Sequence, residues 1–280
     1  MFNQKISIAV GHSKELKDNE LMQLIKNIGF DGVAFSCSGT TEISDLIECA
    51  NQVGLLVTYL HAPYVMMPEV WSNDEEASLG AAEKIIEVIS LAAKYSIPAV
   101  VIHAWCGFDY KFDKDNLGFW GLDKIVEAGE KTGVKLAFEN TEGLEFLREI
   151  MNRYKDREIV GFCWDSGHEA CYNFSLDMLS EFGDRLMVTH INDNVGIRSN
   201  EGKIFWTDDL HLLPYDGIID WDEAVIRLKK AKKLEFLNLE LSRYTLPDYN
   251  FHKPAADMTD FEFYSESYKR AAKIAFKYSK

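Results

Sequence analysis

Short apolar runs rich in β-branched residues alternate along this chain with longer stretches in which apolar residues recur at helical spacing. Eight runs read as strands: residues 6–10, 32–35, 55–59, 99–102, 135–138, 161–164, 186–189 and 236–239. Such alternation is the pattern of repeated βα units around a parallel sheet. The stretches between them read as helices over 19–28, stopping at Gly29, and over 42–52, ending before Gly54 as a left-handed cap. Asn73-x-x-Glu76 forms a capping box ahead of Leu79, Ala82, Ile86, Ile89 and Ala93, which keep helical spacing as far as Tyr95. Further helices are expected over 117–131, over 144–151, over 176–182 with Ser175 as N-cap, from the Asp220-x-x-Glu223 box to Lys233, and over 260–278.

Eight strands in strict alternation with helices predict an α/β fold, a (β/α)8 TIM barrel forming one domain over residues 1–280. A doubly wound open sheet is the alternative, but the glycine-rich turn that would follow its first strand is absent. The stretch between Asp193 and Trp221 carries no periodicity, and loops of that length are usually functional lids or disordered segments.

Composition narrows the function classes. Thirty Lys and Arg face 45 Asp and Glu, a net charge of −15, opposite in sign to what binds a phosphate backbone, so no nucleic-acid partner is expected. No apolar run approaches the ~20 residues of a membrane span, and no membrane partner is expected. The five cysteines are odd in number and contain no C-x-x-C pair, and residues 1–5 run into a strand-like segment without a secretory apolar region. A reduced, cytoplasmic protein is the expectation.

The candidate chemistry sits where the strands end. Residues 161–168 read as a strand that finishes in Asp165 and, three residues later, His168, with Gly167 between them to let the backbone turn. In a barrel the site is built at the C-terminal strand ends. Strands three to eight end in His61, His103, Glu139, Asp165, His190 and Glu240, and Asp209-Leu210-His211 adds a further pair from the long loop. Taken singly, each has an ordinary explanation: a hydrogen-bonded packing histidine, or a carboxylate capping the next helix, as for Asp165. Their coincidence at one structural level predicts a divalent-metal site, since imidazole and carboxylate suit Zn, Mn and related ions. His12 and His252 lie outside it and receive no role.

The chain resembles the xylose-isomerase-like TIM barrels, a family of sugar and sugar-phosphate isomerases and epimerases that includes inosose dehydratases and the type IV apurinic endonucleases. The resemblance rests on His61-Ala-Pro-Tyr64, Phe138-Glu139-Asn140-Thr141, Trp164-Asp165-Ser166-Gly167-His168, His190-Ile-Asn-Asp193, Asp209-Leu-His211 with Ile219-Asp220-Trp221, and Leu239-Glu240. It departs at Pro214-Tyr215-Asp216-Gly217, where the family usually carries Pro-Gly-x-Gly, a change at the lip of the pocket. The resemblance implies one divalent metal (Mn, Mg, Co or Zn) held by Glu139, Asp165, His190 and Glu240. It also implies a sugar isomerase or epimerase in which Glu139 and Glu240 act as paired acid and base through a metal-stabilised enediolate.

His168 is assigned to a substrate hydroxyl, as are Arg198, His61, His103 and Trp105 to substrate contacts, with Trp164 and Trp206 as further apolar walls and a core role preferred for Trp164. The alternatives are an inosose-type dehydratase, a non-catalytic sugar-binding barrel, and an endonuclease-like phosphodiesterase. In the last, His61, His103, His168, Asp209 and His211 would be additional metal ligands, with up to three Zn. A small-molecule sugar is the expected partner, without a dense basic cradle for phosphate. Oligomeric state, including a homo-oligomer, is left open.

Overall fold

The computed structural model describes residues 3–37, 40–243 and 251–280. The chain runs β1 (Lys5–Ala9), α1 (Asp18–Ile28), β2 (Gly32–Ser36), α2 (Thr40–Gln52), β3 (Leu56–His61), α3 (Met67–Val70), α4 (Glu75–Lys94) and β4 (Ala99–His103). It continues with α5 (Trp120–Thr132), β5 (Lys135–Glu139), α6 (Leu144–Arg153), β6 (Val160–Asp165), α7 (Ser166–Cys171), α8 (Met178–Phe182) and β7 (Leu186–His190). Last come α9 (Trp221–Lys230), β8 (Phe236–Leu239), α10 (Lys253–Ala256) and α11 (Asp260–Ser279).

All pairings between named strands are parallel, in the order β7-β6-β5-β4-β3-β2-β1-β8. The two ends of the sheet meet through a bridge between Ile191 and Leu239. At that seam a side chain supplements the backbone: the Thr189 hydroxyl accepts the Asn238 N–H at 2.9 Å and lies 3.3 Å from the Asn238 carbonyl. The result is a nearly closed (β/α)8 barrel.

Period-two alternation sorts most strand residues into two cores, β3 being irregular where its register with β2 shifts, so that Val57 lies in the outer core and Tyr59 in the inner one. Ile6, Ile8, Val33, Phe35, Val100, Ile102, Leu136, Phe138, Phe162, Trp164, Leu237 and Leu239 pack outward under the helices. Ala34, Tyr59, Ala99, Val101, Ala137, Cys163 and Val188 form a separate interior cluster of mostly small side chains. Two residues further along β3, β4, β5, β6 and β7, the inward parity reaches His61, His103, Glu139, Asp165 and His190. Ser7 on β1, Thr58 on β3 and Asn238 on β8 add a buried polar network below the mouth, the Thr58 hydroxyl donating to Asn238 Oδ1 at 2.9 Å and lying 3.0 Å from the Ser7 hydroxyl, and the mouth-facing ends of β3 to β7 are all polar.

Several caps and boundaries differ from the expectations. Asp74, not Asn73, caps α4, accepting from Ala77 N. Asp177, not Ser175, caps α8, accepting from Ser180 N, and a carboxylate is the stronger acceptor for a first-turn amide. The helix expected from residue 117 starts at Trp120, behind a short 3-10 turn at Lys114–Asn116. α9 stops at Lys230 because Ala231 is extended, with ψ 172°.

Candidate metal centre

Glu139 ends β5 with its side chain fully buried, and the other groups gather around it. Its Oε1 lies 2.9 Å from His190 Nδ1 and 3.2 Å from His168 Nδ1. Its Oε2 lies 3.2 Å from His61 Nε2 and 3.4 Å from His103 Nε2. Glu240, just past β8, places Oε2 2.9 Å from the same His190 Nδ1, and Asp165 Oδ2 is 3.8 Å away. Asp209 Oδ2 sits between His211 Nε2 at 2.8 Å and His168 Nε2 at 3.2 Å.

These contacts resolve into overlapping groups whose ligand-type atoms lie within 4.8 Å of one another: Glu139, Asp165, His190 and Glu240; His61, His103 and Glu139; and His168, Asp209 and His211. Every strand-end His, Asp and Glu singled out in the sequence, together with the Asp209/His211 pair, thus falls in one cluster.

The donor chemistry fits a cation. His61 Nδ1 lies 2.8 Å from the Ala62 carbonyl, which can only accept, so that nitrogen carries the proton and Nε2 turns a lone pair toward Glu139 when the ring is neutral. His211 Nδ1 faces the Glu240 carbonyl at 3.2 Å in the same way, which leaves Nε2 aimed at Asp209. Once the imidazoles give up the protons they share with these carboxylates, lone pairs and carboxylates converge on the same space, which a divalent ion satisfies.

The electrostatics agree. Burial, aided by the charge of Glu139, pushes Asp165 up to about 6. Burial is the largest single influence and would raise Glu139 and Glu240 as well, but the surrounding imidazoles together outweigh it, His190, His103 and His168 for Glu139 and His190 and His211 for Glu240, so both lie below the ordinary carboxylate range. Burial lowers His103 to about 3. His211 rises to about 10, because Asp209 overcomes the desolvation of its ring.

Local sequence explains the placement of Asp165. Its backbone N–H and carbonyl are bound by the Asn140 side chain at 2.8 and 2.9 Å, extending the β5–β6 ladder by one rung. Its Oδ1 accepts the His168 N–H at 2.7 Å as N-cap of α7, and its Oδ2 accepts from Asn192 Nδ2 at 2.9 Å. The capping role and the candidate ligand role therefore coexist in one carboxylate. Gly167 does not serve as a turn glycine, since it lies inside α7; a Cβ there would come 1.9 Å from Asn192 Oδ1. It is small so that the β7 loop can approach.

The remaining sequence candidates stand further out. Arg198 binds Asp208 Oδ1 at 3.0 Å and the Thr207 carbonyl, bracing the long loop. Trp105 stacks on Phe146 with centroids 4.0 Å apart and donates to the Gly107 carbonyl, so one ring face is used in packing. Trp206 is exposed, and Trp164 is buried with its indole N–H on Glu169.

Several residues that received no individual role from the sequence, some of them inside its motifs, turn out to support the cluster. Asn140 and Asn192 orient Asp165, Tyr172 stacks on His168 at 4.9 Å, and Tyr64 stacks on His103 at 4.3 Å. His252, assigned no role, is buried and donates through Nε2 to the Leu210 carbonyl, between Asp209 and His211. His211 itself has φ 47°, a costly conformation for a non-glycine residue, so this stretch needs such support. The two asparagines follow candidate ligands directly in sequence or by two positions, which was a usable signal; nothing in the sequence marks His252.

A parallel barrel carrying clustered carboxylates and imidazoles at its C-terminal mouth defines a class of enzyme scaffolds with metal-binding capacity. Residues 22–263 match the Xylose isomerase-like TIM barrel family, and the chain belongs to it. Among curated relatives, an uncharacterized protein, y4fM, of Sinorhizobium fredii is 32% identical over 60% of this chain and 55% of its own length. A "Probable endonuclease 4" of Natranaerobius thermophilus is 29% identical over 51% of this chain and 57% of its own. The chain spans about half the length of these relatives.

Among solved structures, D-psicose 3-epimerase from Clostridium cellulolyticum H10 superposes with a TM-score of 0.73 at 14% identity, covering 99% of this chain and 100% of that one. The IOLI protein with a bound zinc atom gives 0.74 at 20%, covering 98% and 99%. At these identities the likeness to solved structures concerns the fold. Among the described residues no helix is long and apolar enough to cross a membrane.

Proposed function

We propose that this protein is a divalent-metal-dependent sugar isomerase or epimerase in which Glu139 and Glu240 transfer protons. One observation carries the reading: two glutamates from strands three places apart in the barrel wall both reach His190 Nδ1 at 2.9 Å, with Asp165 beside them. Glu139, Asp165, His190 and Glu240 would hold the cation. When bound, the cation supplies positive charge where negative charge develops on a substrate oxygen beside the reacting carbon.

Moving a hydrogen at a carbon next to a carbonyl needs one group to take the proton and another to deliver one. The imidazoles around Glu139 and Glu240 hold both below the ordinary carboxylate range against burial, so either can start as the base. His168, stacked on Tyr172 and set between Glu139 and Asp209, would orient a substrate hydroxyl. Arg198 is engaged with Asp208 rather than turned into a phosphate cradle, which favours a non-phosphorylated sugar.

The test is solvent-hydrogen exchange into ketoses and keto-glycosides, with and without Mn, Co, Mg or Zn. Glu139→Gln and Glu240→Gln are each expected to lower turnover by about 10²- to 10⁴-fold, the usual contribution of a general acid or base. Activity within a few fold of wild type in either variant overturns the two-glutamate mechanism.

A second reading, a multinuclear phosphodiesterase, is favoured by one feature: the His61–His103–Glu139 and His168–Asp209–His211 groups are complete. The net charge of −15 opposes a DNA substrate. Three tightly bound ions per chain together with cleavage at abasic sites would establish it in place of the isomerase.

A further inference from the structure

Tyr59 lies on β3 two residues before His61, so the strand period turns it into the barrel, where it is 1% exposed. Its companions there, Ala34, Ala99, Val101, Ala137, Cys163 and Val188, are all smaller, and its ring is the bulk of that layer. It sits directly beneath the candidate metal centre, with its ring centroid 5.2 Å from that of His190 and the planes inclined by 34°.

Two polar atoms are left over in this space. The Tyr59 hydroxyl and His190 Nε2 are both buried and have no hydrogen-bond partner. Leaving the phenol hydroxyl unmet in the interior costs free energy that a leucine or phenylalanine at position 59 would avoid. His190 has its other nitrogen, Nδ1, against Glu139 and Glu240. A metal-bound histidine almost always gives its distal N–H to an outer acceptor, which fixes its tautomer and ring angle.

The two atoms do not bond each other in this structure; we propose that Tyr59 is a positioning residue of the metal centre, its phenol oxygen accepting the His190 Nε2–H once a cation draws Nδ1 toward itself and seats the imidazole. This rests on the reading that His190 is a ligand. It gives a buried tyrosine in an otherwise small-residue layer a function that packing alone does not require. The neighbouring Cys163, whose sulfur lies within 4.8 Å of ligand-type atoms of Glu139 and His190, is the rival partner, but a thiol is a weak acceptor.

The experiment titrates cobalt(II) or zinc against a chromophoric competing chelator for wild type, Tyr59→Phe, Cys163→Ala and His190→Ala, and records the cobalt absorption spectrum of each. Tyr59→Phe preserves the ring and its volume. It is expected to weaken cation binding 10- to 100-fold, the range found for outer-sphere partners, and to alter the cobalt spectrum, while the urea midpoint of the cation-free protein is unchanged or raised, because the unmet hydroxyl is gone. Cys163→Ala should bind like wild type, and Tyr59→Phe should add nothing in a His190→Ala background.

Wild-type affinity in Tyr59→Phe, or a loss confined to Cys163→Ala, overturns the proposal. Unchanged affinity in His190→Ala instead removes the ligand reading on which it rests.

Discussion

At the scale of single residues, the centre is a balance of like and unlike charge that a cation would reset. His211 shows the sign. In the cation-free protein its folded value is raised from 6.5 to about 10, so the stability it contributes is fully present below pH 6.5 and is lost as pH rises through about 10. Ligation through Nε2 requires that proton to leave, because Nδ1 is committed to the Glu240 carbonyl. Cation affinity at the group formed with His168 and Asp209 is therefore expected to climb between pH 6 and pH 9, by about tenfold per unit for each proton displaced. Competition titrations at several pH values, with proton release followed in weakly buffered solution, check this; a flat profile would remove His211 from the ligand set.

Gly167 gives a second residue-scale prediction. A methyl group there meets Asn192, whose amide holds Asp165, so Gly167→Ala should destabilise the fold by about 1–3 kcal/mol, as overpacking does, and should also weaken cation binding. Urea unfolding and the chelator titration read the two effects separately.

Among elements, the long β7–α9 connection decides the shape of the mouth, and Asp193 pins it. That carboxylate accepts from Asn194 N, Ile219 N, Tyr215 N and Trp221 Nε1 at 2.8–3.2 Å, so one side chain gathers both ends of the loop. Asp193→Ala would orphan buried donors worth about 1–3 kcal/mol each. The expected outcome is protease cleavage within residues 194–217 under conditions that leave wild type intact, with a loss of about 3 kcal/mol or more in stability.

The same loop shows where sequence reading stops. Its lack of periodicity announced a functional segment, and Asp209 and His211 could be picked out by residue type. Their support could not, because His252 reaches Leu210 from the far side of β8 and Arg198 turns back on Asp208 within the loop. Helix caps were legible only to within a residue or two for a related reason. Asn73 and Asp74, or Ser175 and Asp177, are all competent caps, and in each case the carboxylate, the stronger acceptor, takes the first-turn N–H.

For the whole molecule, closure of the barrel brings the six ligand-bearing strand ends, β3 to β8, around one mouth, and the weakest part of the barrel wall is the β7–β8 seam, joined among the described residues by a single bridge. Thr189 braces it through both polar groups of Asn238. Thr189→Val keeps the shape and removes the hydroxyl, and is expected to cost about 1–3 kcal/mol, with faster amide exchange at Asn238 than elsewhere in the sheet. Urea denaturation and hydrogen exchange test this; unchanged exchange at the seam would show that closure does not depend on the side chain.

The alternation of strand and helix and the residue type at each strand's end were legible in the chain alone, because short β-branched runs and a 3.6-residue period are local properties, whereas which strand residues face inward was settled by the fold, as the irregular β3 shows. Hence the barrel and the nine candidate groups at its mouth could be read from residue order. The tertiary structure decided what order cannot encode: that Glu139 is the common neighbour of four imidazoles, that Asp165 caps α7 while facing the cluster, that Arg198 is drawn to Asp208, and that Tyr59 lies under His190. Each is a distance between groups remote in sequence, set by barrel closure and by which buried polar atoms find partners.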